Sequence, residues 1–273
     1  MSLELLLISV LLISIVIEYI DATLGMGYGT ALTPILLLMG FSPLQVVPAI
    51  LLAQFIAGII AAVLHHGAGN VSFDFKNDHE HEIVKRLGKL GYIPRSTDSK
   101  IALVLVICSI AGVIIAVVIA LSLPVFYLEL YIGLLVMSMG ILVLIKHKTR
   151  VKFSWKRIIG IGVLASFNKG ISGGGYGPLI VSGQILSGVN SKNSIGITAL
   201  TEGVTCLVGV LAYSYFAKQI DWTLAPYLLI GSLVSVPLSV YTVKIMPAKK
   251  FTLMIGGVTT FLGMMILTKL IIY

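Results

Sequence analysis

The chain has 273 residues, of which 58% are hydrophobic and only 11% are charged. A soluble domain carries about 25% charged residues, because water wets its surface. The net charge of +8 does not indicate a nucleic-acid partner, since the basic residues cluster in short loops beside apolar segments, as membrane topology signals do. The composition therefore excludes an ordinary soluble domain and predicts an all-α polytopic membrane protein.

Ten apolar segments follow one another along the chain, and we predict a helix for each because backbone groups in hydrocarbon must bond within their own segment. Glu4 and the absence of a basic leader indicate that the first segment is a retained helix. The segments lie at about 3–20, 28–40, 44–64, 101–122, 124–145, 157–168, 176–188, 194–217, 223–243 and 251–272. This pattern predicts about 8–10 membrane segments.

Two of these segments, 28–40 and 176–188, are too short to cross a hydrocarbon core of about 30 Å. Each follows a glycine-rich stretch. We therefore expect broken or re-entrant helices at these two places, with the new helices beginning near Thr30 and near Pro178.

A shift of the sequence by 148 residues places the first glycine-rich stretch on the second. Gly25 and Tyr28 then fall on Gly173 and Tyr176, and Gly40 falls on Gly188. The chain is thus predicted to be a duplication. Its parts are a first repeat at 1–145 with an extra polar loop at 65–100, a basic linker at 146–156, and a second repeat at 157–273.

The basic residues also predict the orientation of the repeats. The region from Lys146 to Arg157 holds six basic residues and no acid, so the positive-inside rule places it in the cytoplasm together with loop 65–100. Each repeat has an odd number of membrane segments, whether or not the short pieces are re-entrant. The two repeats are therefore predicted to have inverted topology in the cytoplasmic membrane.

The paired glycine motifs are the first candidate site. A helix that begins inside the membrane presents free N–H groups to an anion, and inverted-repeat transporters bind substrate between broken helices. The alternative is that the glycines only permit close helix packing. The candidate substrate-binding residues are Gly25, Gly27, Gly29, Thr30, Thr33, Asn168, Lys169, Ser172, Gly173, Gly174, Gly175 and Gly177.

Ionisable residues within apolar segments form the second candidate site. A charge at the centre of a bilayer is costly and normally faces a cavity or a partner. Lys169 is the candidate to compensate a bound anion, and the alternative is a structural ion pair of Lys169 with Glu202 or Asp21 that holds the repeats together. The candidate coupling or gating residues are Asp21, Gln54, Thr198, Thr201 and Glu202.

No cofactor or metal site is predicted. The run Asp78–Glu82 contains two histidines near His65 and His66 and could bind zinc or copper, but histidines two apart do not share a helix face, and a solvated loop is the favoured interpretation. Cys108 and Cys206 lie inside apolar segments, and no Walker motif or nucleophile elbow is present. We therefore expect no enzyme activity.

The run from Asp21 to Pro34, the prolines at 43 and 48, and the second run from Gly173 to Pro178 resemble the sulfite exporter TauE/SafE family over nearly the whole chain. The resemblance implies a multi-pass permease of a prokaryote, bacterial or archaeal, that exports sulfite, a sulfonate or a related small organic anion. The long loop 65–100 departs from the family pattern.

Two alternatives to export stay open. One is uptake of such an anion coupled to H+ or Na+. The other is a membrane scaffold that docks a partner through loop 65–100. The expected partners are the small anion and the lipid bilayer, and the sequence defines no oligomeric state.

Overall fold

The computed structural model describes residues 3–25, 28–76, 92–120, 125–146, 152–216 and 220–272. Within these ranges the chain is mostly helical. The helices are α1 (Leu3–Leu24), α2 (Tyr28–Leu38), α3 (Pro43–Gly67), α4 (Thr97–Ala120), α5 (Val125–Lys146), α6 (Trp155–Ser172), α7 (Tyr176–Leu186), α8 (Ser191–Phe216), α9 (Ala225–Ile245) and α10 (Ala248–Ile272). Each corresponds to one predicted segment.

Five of the helices in the described ranges are long and apolar enough to cross a membrane. They are α1, α3, α4, α8 and α9. Their outward faces are apolar: on α1, Leu5, Ile8, Leu12, Val16 and Ile20 are all exposed. Lipid can contact such an apolar face directly, whereas polar groups must find partners inside the bundle. The structure agrees with an all-α membrane protein.

The short helices α2 and α7 are buried at the centre of the bundle. Each has 11 residues, or about 16 Å of helix. Tyr28 and Leu32 of α2 belong to one buried apolar cluster, and Tyr176 and Ile180 of α7 belong to another. Each cluster also contains residues of the other half, Leu24 and Ile101 beside α7 and Leu224 and Leu228 beside α2, so each short helix packs in a core that the two halves share.

Helices that hold the same place in the order of each half pack on the same helix of the other half. Helix α1 packs on α9, and α6 packs on α4; α3 contacts α9, and α8 contacts α4. Further contacts between the halves join α3 with α8 and α5 with α10. Glycine permits a close approach in the first of these pairs, because a Cβ at Gly58 would lie 2.9 Å from the Cα of Gly203.

Glycines break the helices at the predicted places. Gly25 follows α1 with φ +69°, Gly173 follows α6 with φ +69°, and Gly175 precedes α7 with φ +75°. These conformations are open to glycine at little cost. The helices α2 and α7 nevertheless begin two residues earlier than predicted, at Tyr28 and Tyr176, because the glycines alone make the break.

Pro178 does not mark the start of α7. It is the third residue of that helix, within the first turn, where a proline interrupts no intrahelical hydrogen bond. The sequence pattern predicts that the new helix begins near Pro178. The predicted start is therefore two residues later than the observed one.

The two helix breaks meet each other in the bundle. A Cβ built on Gly29, at the start of α2, would overlap the carbonyl of Gly173 and would lie 3.2 Å from the Cα of Gly174. A Cβ on Gly25 would overlap the side chain of Val181 in α7. The break in one half therefore packs directly against the break in the other.

The extra loop of the first half is anchored at both ends. Strand β1 (Phe75–Lys76) pairs antiparallel with β2 (Ile93–Pro94). The N–H of Ser72 donates to Asp98 Oδ2 at 2.9 Å, and the N–H of Asp74 donates to Ser99 Oγ at 2.8 Å, both at the start of α4. The histidine-bearing run 78–82 lies outside the described residues.

We predict that Gly29→Ala lowers the stability of the protein. Its methyl group would meet backbone that cannot move aside without separating the two helix breaks, so a loss of about 1–3 kcal/mol is expected, the usual size for overpacking. The measurement is the melting temperature in detergent.

Gly160→Ala is the matched control. Gly160 is exposed in α6, and a Cβ there would meet no atom within 4 Å, so this variant should melt at or above the temperature of the parent. Equal melting temperatures for the two variants would contradict the packing of Gly29 against Gly173.

Candidate functional site

A narrow cavity lies between α1, α3 and α8. It lies against the C-terminal half of α3, from Gln54 to Ala61, and against the N-terminal half of α8, from Ile195 to Glu202. Helix α1 closes it with the turn that ends at the first helix break. The lining residues are Glu18, Asp21, Ala22, Gly25, Gln54, Gly58, Ala61, Ile195, Thr198, Ala199 and Glu202.

Glu18 is held in this cavity by two neutral side chains. Gln54 Nε2 donates to Glu18 Oε2 at 2.6 Å, and Ser232 Oγ of α9 donates to the same oxygen at 3.3 Å. The side chain is buried, and it forms no salt bridge with any residue that the structure describes. Among those residues, Glu18 therefore has hydrogen-bond donors but no salt-bridge partner.

Lys169 and Glu202 form a buried ion pair. Lys169 Nζ lies 2.6 Å from Glu202 Oε1, and both side chains are almost fully buried. Helix α6 supplies the lysine and α8 the glutamate, so the pair joins two helices of the second half of the chain. The alternative interpretation of an ion pair is thus observed, but this pair does not hold the two repeats together. Glu202 lines the cavity, whereas Lys169 does not.

The threonines near Glu202 bond within their own helix. Thr198 Oγ1 donates to the Ser194 carbonyl at 2.7 Å and accepts from Gln184 Nε2 of α7 at 2.9 Å. Thr201 Oγ1 donates to the Ile197 carbonyl at 3.0 Å. Thr198 therefore links the cavity wall to the short helix α7.

The structure brings five of the predicted site residues together in the cavity wall: Asp21, Gly25, Gln54, Thr198 and Glu202. The other predicted residues that it describes are placed around this wall and do not line it. They are Gly29, Thr33, Asn168, Lys169, Gly173, Gly174, Gly175, Gly177 and Thr201. Gly27 lies outside the described residues, as do the side chains of Thr30 and Ser172.

Two polar members of the site, Glu18 and Ser232, were missing from the predicted set. Glu18 had a signal in the sequence, because it lies one helical turn before Asp21 in an apolar segment. Ser232 had none, since it is an ordinary serine 214 residues from its partner. The small residues Ala22, Gly58 and Ala61, which leave room for the cavity, also gave no signal of their own.

No metal centre is formed by the residues that the structure describes, which contain no group of three His, Cys, Asp or Glu side chains placed to hold an ion. His65 is buried, and its Nδ1 lies 3.0 Å from Asn70 Nδ2. This contact fixes the end of α3 rather than holding a ligand.

Comparison with known proteins identifies the family. The model of the sulfite exporter TauE/SafE family matches residues 85–266, about two thirds of the chain. The chain belongs to this family. It is also similar to the probable membrane transporter protein YtnM of Bacillus subtilis (strain 168), with 24% identity over 259 residues that cover 90% of this chain and 77% of that protein. No solved structure matches the chain.

Membership of the TauE/SafE family makes this chain a membrane transport protein, and a transport protein needs a polar space that a solute or ion can enter. In the described part of the bundle, the cavity lined by Glu18, Gln54 and Glu202 joins polar side chains from three helices. Such a space, deep between membrane helices, is where ionisable residues mark substrate or ion pathways.

We predict that Lys169→Met destabilises the protein and that a second change, Glu202→Gln, restores stability. The single variant leaves a buried carboxylate without its partner, which costs about 3–5 kcal/mol, whereas the double variant leaves no charge. Melting temperature in detergent and transport should be measured for both single variants and the double.

The double variant separates the two roles of Lys169. If the double variant regains both stability and transport, the pair is structural and Lys169 has no role in anion binding. Stability restored without transport, which we expect, would show that the positive charge itself is needed.

Proposed function

We propose that this protein is a secondary transporter that exports a small anion, namely sulfite, a sulfonate or a related sulfur-containing or organic anion, across the cytoplasmic membrane. The observation that carries the proposal is a polar cavity between membrane helices in a chain of the TauE/SafE family. Export has a physical driving force, since outward movement of one negative charge across about 100 mV gains about 2.3 kcal/mol.

The electrostatics of the cavity connect anion binding with protons. Three acidic side chains, Glu18, Asp21 and Glu202, line it, and Lys169 pairs with Glu202. Carboxylates in a low-dielectric space repel an anion strongly when they are ionised. Proton binding at this cluster removes the repulsion, and we therefore take H+ rather than Na+ as the coupling ion.

Counterflow into proteoliposomes tests the proposal. Liposomes loaded with unlabelled sulfite should take up labelled sulfite faster than protein-free liposomes, and external thiosulfate, taurine and sulfoacetate should compete in proportion to their affinity. Gly160→Ala, which changes an exposed position, serves as the control for reconstitution. Absence of counterflow with all four anions, from protein that melts normally, would exclude this substrate class.

Ion-coupled uptake of the same kind of anion is a second candidate, and Glu18 favours it. A buried carboxylate without a positive partner among the described residues suits a proton that binds and leaves during transport. The titratable groups that interact with it from its own and neighbouring helices are Asp21, Tyr28, Lys169 and Glu202.

We predict that Glu18→Gln uncouples transport from protons. The glutamine keeps the shape and accepts the hydrogen bond from Gln54, but it carries no exchangeable proton. In proton-coupled uptake, an inward proton gradient should drive accumulation of the anion by the parent and not by the variant, while counterflow continues in both. Glu4→Gln, at an exposed position of the first turn of α1, is the control. Equal accumulation by Glu18→Gln and the parent would remove Glu18 from the coupling step.

We also propose that the two halves, 1–145 and 157–273, are inverted repeats joined by the linker 146–156. The helix bounds support this, because α2 and α7 begin and end 148 residues apart, and so do the starts of α3 and α8. The positive φ angles repeat in the same way, at Gly25 and Gly173 and at Gly40 and Gly188.

The basic residues support a cytoplasmic position for the linker and loop 65–100. Single cysteines at Glu80 and Arg150 should therefore be shielded from an impermeant thiol reagent in intact cells, and one at Ile220 should react. Lysed cells, in which all three should react, provide the control. Labelling of position 150 from outside would overturn both the orientation and the inverted repeat.

A further inference from the structure

Two amide–carboxylate contacts occupy related places in the halves of the chain. The first joins α3 to the segment before α9: Gln45 Nε2 donates to Asp221 Oδ2 at 2.6 Å. The other end of the same amide accepts from the N–H of Ser42 at 2.9 Å. Asp221 is oriented in turn by Thr223, whose N–H donates to its Oδ1 at 2.9 Å.

The second contact joins α8 to the start of α4. Asn193 Nδ2 donates to Asp98 Oδ2 at 2.7 Å, and the N–H of Ser72 donates to the same oxygen. Gln45 is the third residue of α3, Asn193 is the third residue of α8, and they are 148 residues apart. Each therefore connects the N-terminal end of the third helix of its repeat to the fourth helix of the other repeat.

The two contacts lie at opposite ends of the bundle. Helices α3 and α8 run antiparallel, since a Cβ on Gly209 would lie 3.0 Å from the Leu51 side chain, and one on Gly196 would lie 3.4 Å from the Cβ of His65. Residues with higher numbers in α3 therefore contact residues with lower numbers in α8. The N-terminal ends of the two helices must then be at opposite faces of the membrane domain.

We propose that Gln45–Asp221 and Asn193–Asp98 are the gate contacts of the transport cycle, one at each face, and that they open alternately. This inference rests on the proposed function, because a transporter must expose its central cavity to one side at a time. The cavity lies in the half of α8 that begins at Asn193, so the Asn193–Asp98 contact is the gate next to it. The Gln45–Asp221 contact closes the far end.

A gate contact must be stable enough to keep the cavity closed and weak enough to break when that side opens. Each of these contacts has one hydrogen bond between an amide and a carboxylate, without a second charge, and a single bond of this kind contributes modestly to stability. Gln45–Asp221 is exposed, whereas Asn193–Asp98 is partly buried. Hydrogen bonds from the Thr223 hydroxyl, from Gln45 and from the Thr223 N–H lower the pKa of Asp221 to about 2. Asp221 therefore stays ionised at physiological pH, and the contact does not depend on pH there.

Isosteric substitutions can open one gate at a time. Gln45→Glu keeps the oxygen that accepts from Ser42 but turns the donor toward Asp221 into a second carboxylate, which repels it. Asn193→Asp does the same to Asp98. The reporter is a cysteine at Ala61 in the cavity wall, in a background where Cys108 and Cys206 are replaced by serine. Its reaction with an impermeant thiol reagent is followed from each side of the membrane, in right-side-out and in inverted vesicles.

The two variants should shift labelling in opposite directions. Asn193→Asp should speed the reaction of the reporter from one side of the membrane, and Gln45→Glu should slow it from that side and speed it from the other. A change of about two- to tenfold is expected, the size that follows from losing one hydrogen bond. Changes in the same direction for both variants, or no change in either, would overturn the proposal.

A charge swap at the exposed gate completes the test. Gln45→Glu combined with Asp221→Asn restores an amide–carboxylate pair with the donor and acceptor exchanged, so labelling should return to the parental rate. Failure of the swap, with the melting temperature unchanged, would also contradict the proposal. If Gln45→Glu does not fold, Gln45→Met removes the donor without adding a charge. The assay uses no substrate, so it can succeed even if counterflow excludes the proposed anions.

Discussion

The need to satisfy polar groups inside a hydrocarbon environment governs this structure. Lipid offers no hydrogen bonds, so backbone groups pair within helices and polar side chains turn inward. The described part of α9 shows the result: Ser232, Ser235 and Ser239 are fully buried, and Ser235 donates to the Ile15 carbonyl at 2.6 Å, while Leu238 and Tyr241 are exposed. Serine and glycine also let helices approach closely, which supplies packing where the hydrophobic effect does not act.

The same constraint explains why the helix breaks are buried. A break leaves N–H and C=O groups without their usual partners, which lipid would not tolerate, and it is stable only where protein surrounds it. Here the break before α2 packs on the break before α7, and glycine leaves no side chain between Gly29 and Gly173. The glycines are therefore required for packing whatever ligand they contact. Packing and binding need not be alternatives, because Gly25 both packs on Val181 and lines the cavity.

Features that depend on local patterns could be predicted from the sequence, and features that depend on which helix faces which could not. Apolar length located ten helices, and glycine spacing located both breaks to within two residues. The rarity of charge in apolar segments singled out Lys169 and Glu202, which form the observed pair. The bond of Gln54 to Glu18 joins α1 to α3 through tertiary packing, and no periodicity in either helix specifies it.

The two halves of the chain carry different charges at positions that are 148 residues apart. Lys169 occupies the position that corresponds to Asp21, and Glu202 the position that corresponds to Gln54. In the second half these two positions form a neutral ion pair, which can stay in low dielectric because its partners satisfy each other. In the first half the same two positions hold an acid and an amide. The amide bonds to Glu18 instead, a residue whose counterpart is Ser166. Two acidic side chains, Glu18 and Asp21, thus lie on the α1 side of the cavity. Among the described residues, this is the place where a proton or a solute would change the electrostatic energy most.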